Sequence, residues 1–217
     1  HQYFASWWET VRLDGKKIDR YACSNELSFY SKKHDGIGPF CHEFSHVLGL
    51  PDLYTTNGAS HRTCVDWDIL DYGPYNNDGN TPPTYSAYER FFMGWLTPRV
   101  LKESEIVTLR DLQTYNEAVL ICDVDTHNLV GNSPTPSTFY LLENRQQNNW
   151  DEYLAGHGMM MTKVVYKTKT WSDNTVNNRS SSMGVDIIEA DGIAANYSSS
   201  GNNANYWGKP TDLFPAG

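Results

Sequence analysis

The stretch CHEFSHVLGLPDLY, residues 41 to 54, constrains this chain more than any other. On an α-helix, residues four apart lie one turn along and about 40° around from each other, so His42 and His46 present their rings to one point. Glu43 falls about 60° around from His46. It can reach a water held at that point but is badly placed to be a further ligand, a position that suits a general base. A catalytic zinc takes three protein ligands and keeps its fourth position open, so a third ligand is required. On a continued helix Asp52 would lie roughly 9 Å beyond His46 along the axis, out of reach. Gly49 removes that obstacle, because it can adopt the left-handed conformation that ends helices, and Pro51 pushes Leu50 into an extended one. The chain can then double back and bring the hard oxygen of Asp52 beside two borderline nitrogens, a set that zinc accepts. The competing reading is an apolar core helix in which His42 and His46 are satisfied interior histidines among Phe40, Phe44, Val47 and Leu48. HExxH alone recurs by chance; requiring Gly49 and Asp52 at set offsets makes chance far rarer.

The 217 residues suffice for one domain or two small ones. A net charge of -9 and the lack of a basic stripe argue against nucleic-acid binding, which needs cations along a phosphate backbone. No run of 18 apolar residues exists, so no transmembrane segment is expected. The 14 tyrosines and 7 tryptophans suggest a secreted, periplasmic or cell-surface protein. The start HQYFASWWET, with neither initiator Met nor signal peptide, suggests part of a longer precursor. Cys23, Cys41, Cys64 and Cys122 could form two disulfides in three connectivities, or stay free.

Periodicity changes along the chain. Helical patterns fall in SNELSFYS from Ser24, in GIGPFCHEFSHVLG between Pro39 and Gly49, and in TYSAYERFFMG, which follows Pro82 and Pro83 and stops at Gly94. Beyond Pro98, residues 105–109, 117–124, 138–145, 158–167 and 184–190 read as strands between Gly, Pro, Asn and Asp turns. The polar run from Ser198 reads as a loop. The expected organisation is α+β: a mainly helical part over 1–97, then a β-rich region over 98–217 packed on it.

The pattern H-E-x-x-H-x-x-G-x-x-D resembles the immune inhibitor A family of secreted zinc metallopeptidases, relatives of the metzincins whose third ligand is Asp. VDWDILDYGPYNN, TPPTYSAYERFFMGWLTP, YLLENRQQNNWDEYLAGHG, IIEADG and DLFPAG also resemble family motifs, so the likeness runs from about Gly36 to the end. It implies a metzincin-like subdomain whose final portion, with the zinc helix and a turn like the Met-turn, lies within 1–97. It further implies Zn²⁺ on His42, His46 and Asp52, Glu43 as the base toward a metal-activated water, and a protein or peptide substrate. Two departures stand out: Leu70 occupies the methionine position of the turn, and Lys163 and Val165 stand where relatives often carry His and Asp. A Leu for Met conserves volume and removes no ligand.

Tyr72, two residues past that turn position, could donate to the oxyanion of a tetrahedral intermediate, or could be one exposed aromatic among many. Asp66, Asp68, Asp71, Asn76, Asn77 and Asp78 form an oxygen-rich stretch that could bind Ca²⁺, although a solvated acidic loop is the preferred reading. Glu143 and Arg145 suggest an ion pair at a strand end. Metzincin-like enzymes pair substrate with an upstream sheet, which only 41 residues before His42 leave little room to hold. Two alternatives stay open: a surface module binding glycan or protein on a protease scaffold, and a zinc site of the gluzincin kind with Glu89 as third ligand.

Overall fold

The computed structural model describes residues 2–4, 11–18, 21–28, 32–123, 127–194 and 207–215. Four short strands come first: β1 (Gln2–Phe4), β2 (Val11–Leu13), β3 (Lys16–Ile18) and β4 (Tyr21–Cys23). β1 pairs antiparallel with β4, and β2 with β3 across an Asp14–Gly15 turn, the dipeptide that suits a two-residue hairpin. This part is therefore not mainly helical. Residues 24–28 of SNELSFYS are not helical either, and Leu27 instead bridges His34. The chain then enters α1 (Ile37–Leu48), the helix that carries both histidines.

α2 (Ala87–Phe92) begins at a capping box in which Ser86 and Glu89 satisfy each other's backbone N–H groups. After it runs a five-stranded sheet in the order β5 (Arg99–Leu101), β6 (Val119–Ile121), β7 (Thr138–Arg145), β8 (Gly158–Val165) and β9 (Val185–Ile187). β5 and β6 are parallel, and every other pair is antiparallel. Short helices α3 (Leu112–Tyr115) and α4 (Thr168–Ser172) join the strands. The whole is a mixed α and β architecture with few helices.

Residues 105–109 form no strand; β5 occupies the sheet edge instead. Ile106 is wholly exposed, so the alternation there has nothing to bury against. β7, in contrast, matches its expected limits and alternates strictly: Phe139, Leu141, Glu143 and Arg145 share the buried face. One apolar core takes Leu50, Leu53, Trp67, Leu70 and Phe91 from before residue 97 and Leu120, Phe139, Leu141 and Val164 from after it. The four cysteines are free. Most of the polar run from Ser198, and His1, lie outside the described residues.

Candidate metal centre

α1 turns its polar side inward. Glu43, Ser45 and His46 are buried, whereas Phe40 and Phe44 are each 43 % exposed and stack on one another. That orientation contradicts an apolar core helix with incidental histidines, because burying polar groups costs free energy unless something satisfies them. The helix is pressed onto the segment that contains Pro74: a Cβ on Gly38 would stand 1.9 Å from the Pro74 carbonyl oxygen. Only a glycine permits that approach.

The helix ends as its sequence dictates. Gly49 is left-handed, with φ 107° and ψ 9°, and its N–H donates to the carbonyls of Ser45 and His46. The reversal carries Asp52 back beside the rings. Asp52 Oδ1 lies 3.1 Å from His46 Nε2 and 3.3 Å from His42 Nε2, and the two Nε2 atoms are 3.2 Å apart. Among the described residues this is the one group of three or more metal-ligating side chains that converge. Ligand atoms about 2.0–2.1 Å from one tetrahedral zinc stand roughly 3.3 Å apart, so the triangle has the size of that ion's coordination face.

Neighbouring backbone fixes which nitrogens face inward. His42 Nδ1 donates to the carbonyl of Ile69 and His46 Nδ1 to that of Leu50, each at 2.8 Å. A carbonyl can only accept, so each neutral ring carries its proton on Nδ1 and aims the Nε2 lone pair at the triangle. Asp52 Oδ1 is buried and has no hydrogen-bond partner. Three lone-pair atoms thus meet with no proton assigned between them, and a cation fits that donor set. Without a cation, a proton competes for the same space. Burial alone would lower the His46 pKa, but the bond and charge of Asp52 outweigh it and hold it up. Burial would raise Asp52, and the two histidines instead hold it below the usual carboxylate range.

Asp52 is gripped on its other side. Its N–H donates to Asn174 Oδ1 at 2.7 Å, and Asn174 Nδ2 donates to Asp52 Oδ2 at 2.6 Å. Sequence reading missed Asn174, which lies 122 residues away and belongs to no local motif.

The turn 68–71 meets the triangle through Ile69, whose carbonyl accepts from His42 Nδ1. Leu70, at the methionine position, is fully buried, and its carbonyl accepts from Leu53 N–H at 2.8 Å. A cleft of about 220 Å³ opens beside His42, walled also by Glu43, Tyr54, Asp71, Tyr72 and Tyr75. A second hollow of about 460 Å³ shares Tyr54, Asp71 and Tyr72 with it. Tyr72 is packed in place, with the Arg62 guanidinium 4.8 Å from its ring centre and Trp207 edge-on at 5.5 Å. Tyr54, also missed from sequence, stacks on His42 with ring centres 6.3 Å apart. Burial, then the Asp52 carboxylate, pushes its phenol pKa up.

The acidic stretch is solvated only at Asn77 and Asp78; its other carboxylates are drawn inward and gather into no oxygen site. Asp68 and Asp71 are buried and accept from their own turn: Leu70 N–H donates to Asp68, and Val65 N–H and the Thr63 hydroxyl donate to Asp71. Asp66 accepts from Gly208 N–H. These carboxylates are spent on local structure, and nothing supports Ca²⁺ there. Glu89 is buried in the capping box of α2 and is not among the converging ligand atoms.

Residues 24–96 match the family model of the immune inhibitor A peptidase M6 catalytic domain. The match supports the resemblance drawn from the motifs and marks this segment as similar to a peptidase catalytic domain. It spans about a third of the chain and includes His42, Glu43, His46, Asp52, Leu70 and Tyr72, while Asn174 lies beyond it. Searches of curated proteins and of solved structures returned no match. Among the described residues, no helix is long and apolar enough to cross a membrane.

Proposed function

We propose that the chain is a zinc-dependent endopeptidase of the immune inhibitor A type, with His42, His46 and Asp52 holding the metal and Glu43 as general base. One observation supports the reading: the ligand atoms of His42, His46 and Asp52 converge into a triangle the size of a zinc coordination face, and His42 and Glu43 line the adjoining cleft. Zinc, when bound, acidifies water and polarises a carbonyl, which is the chemistry peptide hydrolysis needs. Glu43 then accepts the proton of the attacking water on a carboxylate oxygen and delivers it to the leaving amine. Tyr72, in the wall, is the candidate donor to the developing oxyanion. The two adjoining hollows give room for an extended protein or peptide substrate. The family likeness favours action outside the cytoplasm, in a secreted, periplasmic or surface setting. In this reading residues 1–97 carry the chemistry and 98–217 buttress it.

The test compares the wild-type chain with Glu43→Gln, measuring zinc by elemental analysis and casein or peptide turnover with and without a chelator. Wild type should carry about one zinc per chain and lose turnover on chelation. Glu43→Gln should keep its zinc and lose about 10²–10⁴-fold in rate. Turnover indifferent to chelation, or undiminished in the variant, would overturn the proposal. A zinc-loaded but inert wild type would favour the surface binding module.

A further inference from the structure

We infer that Asn174, on the segment that follows α4, is the positioning residue that fixes Asp52 as a ligand through one oxygen; this rests on the zinc reading above. The amide of Asn174 meets Asp52 twice, accepting from its backbone N–H and donating to its Oδ2. Those two bonds need one acceptor and one donor on the same short, planar side chain, which Asn provides and Asp or Ser does not. With Oδ2 engaged by a charge-assisted bond, the carboxylate cannot rotate, and Oδ1 alone faces the histidine nitrogens.

The same segment tacks down the rest of the ligand loop. Asn177 Nδ2 donates to the carbonyl of Leu53 at 2.8 Å, Thr56 Oγ1 donates to the carbonyl of Asn174 at 2.7 Å, and Thr56 N–H donates to Asn178 Oδ1 at 2.7 Å. The end of α1 thus returns Asp52 to the rings, and residues 174–178, outside the family match, fix its orientation there.

The competing explanation is that Asn174 is merely a turn residue, since its φ of 55° lies in the left-handed region that Asn tolerates. Asn174→Gly separates the two, because glycine keeps the turn and removes the grip. Asn178→Gly is the control: it removes the side-chain bonds to the Thr56 N–H and hydroxyl and touches nothing on Asp52. Zinc affinity, measured by chelator competition on the full chain, should fall about 10–100-fold in Asn174→Gly and stay within about twofold of wild type in Asn178→Gly. The visible spectrum of the cobalt(II)-loaded protein should change in Asn174→Gly alone. If that variant fails to fold, Asn174→Asp keeps the shape but replaces the donor to Oδ2 with a second carboxylate oxygen, and it should alter the cobalt spectrum in its place. Wild-type zinc affinity and cobalt spectrum in the Asn174 variants, or equal weakening in Asn178→Gly, would overturn the inference while leaving the zinc site standing. A wild-type chain that takes up no zinc would overturn both.

Discussion

Two buried polar clusters in this molecule are built on opposite principles. Around Arg145, fully buried, every charge is answered within the chain: its Nη1 donates to Glu143 at 3.1 Å, and its Nε and Nη2 donate to Asp151 at 3.0 and 2.9 Å. The second oxygen of Glu143 takes the Ala87 N–H, which ties the start of α2 to the sheet, and Asp151 Oδ1 takes the Thr84 N–H as well as Arg145. Around His46 the ring N–H groups point outward, to Ile69 and Leu50, while both Nε2 atoms and Asp52 Oδ1 point in. The first cluster is complete as folded. The second instead crowds three metal-ligating atoms of like kind within 3.1 to 3.3 Å of one another, an arrangement a structural lock does not need.

The contrast can be broken most severely at Arg145. Arg145→Met strands two buried carboxylates and should cost about 3–5 kcal/mol in urea unfolding, with the loss the same whether or not zinc is present. The mirror experiment is Asp52→Ala. It should abolish tight zinc binding, and with it the stabilisation zinc confers, about 4 kcal/mol at a thousandfold excess over the dissociation constant. Thermal melts with and without chelator would then coincide for Asp52→Ala and remain separated for wild type. Retained stoichiometric zinc would favour a different third ligand.

Asp71 sharpens the comparison because it is half-answered: one oxygen accepts from Thr63 and Val65, and the other is buried without a partner. Burial pushes its pKa up to about 7. A carboxyl raised on folding contributes stability that is fully present below its unfolded value and is lost as pH rises through about 7. Asp71→Asn supplies an isosteric neutral group. It should therefore flatten the decline in stability between about pH 4 and pH 7 and, above that range, unfold at higher urea than wild type, by on the order of a few kcal/mol. Parallel pH profiles for the two proteins would count against the assignment. The smallest effect is expected at Leu70→Met, a volume-conserving change that should cost less than about 1.5 kcal/mol and leave zinc binding intact. Its backbone neighbour, the carbonyl of Ile69, does the orienting of His42.

What could be read in advance follows the range of the forces involved. The limits of α1, the stop at Gly49, the capped start of α2 and the alternation of β7 all rest on contacts within a few residues, and all were legible. The strand expected over 105–109 failed because alternation is meaningful only against a partner, and Ile106 has none to bury against. The helix expected from Ser24 failed where short strands and a bridge to His34 took over that part of the chain. The acidic stretch misled because composition suggests solvent, whereas Asp68 and Asp71 are drawn inside to hold the turn.

By itself the sequence determined the spacing that puts His42 and His46 on one helical face, and the Gly49–Pro51 reversal that lets Asp52 return, since both follow from local backbone geometry. The tertiary structure decided the rest: that the polar side of α1 faces inward, that each ring offers Nε2, and that Asn174 leaves Asp52 with one oxygen free. Those choices depend on groups brought together from up to 122 residues apart, and no periodicity in the chain records them.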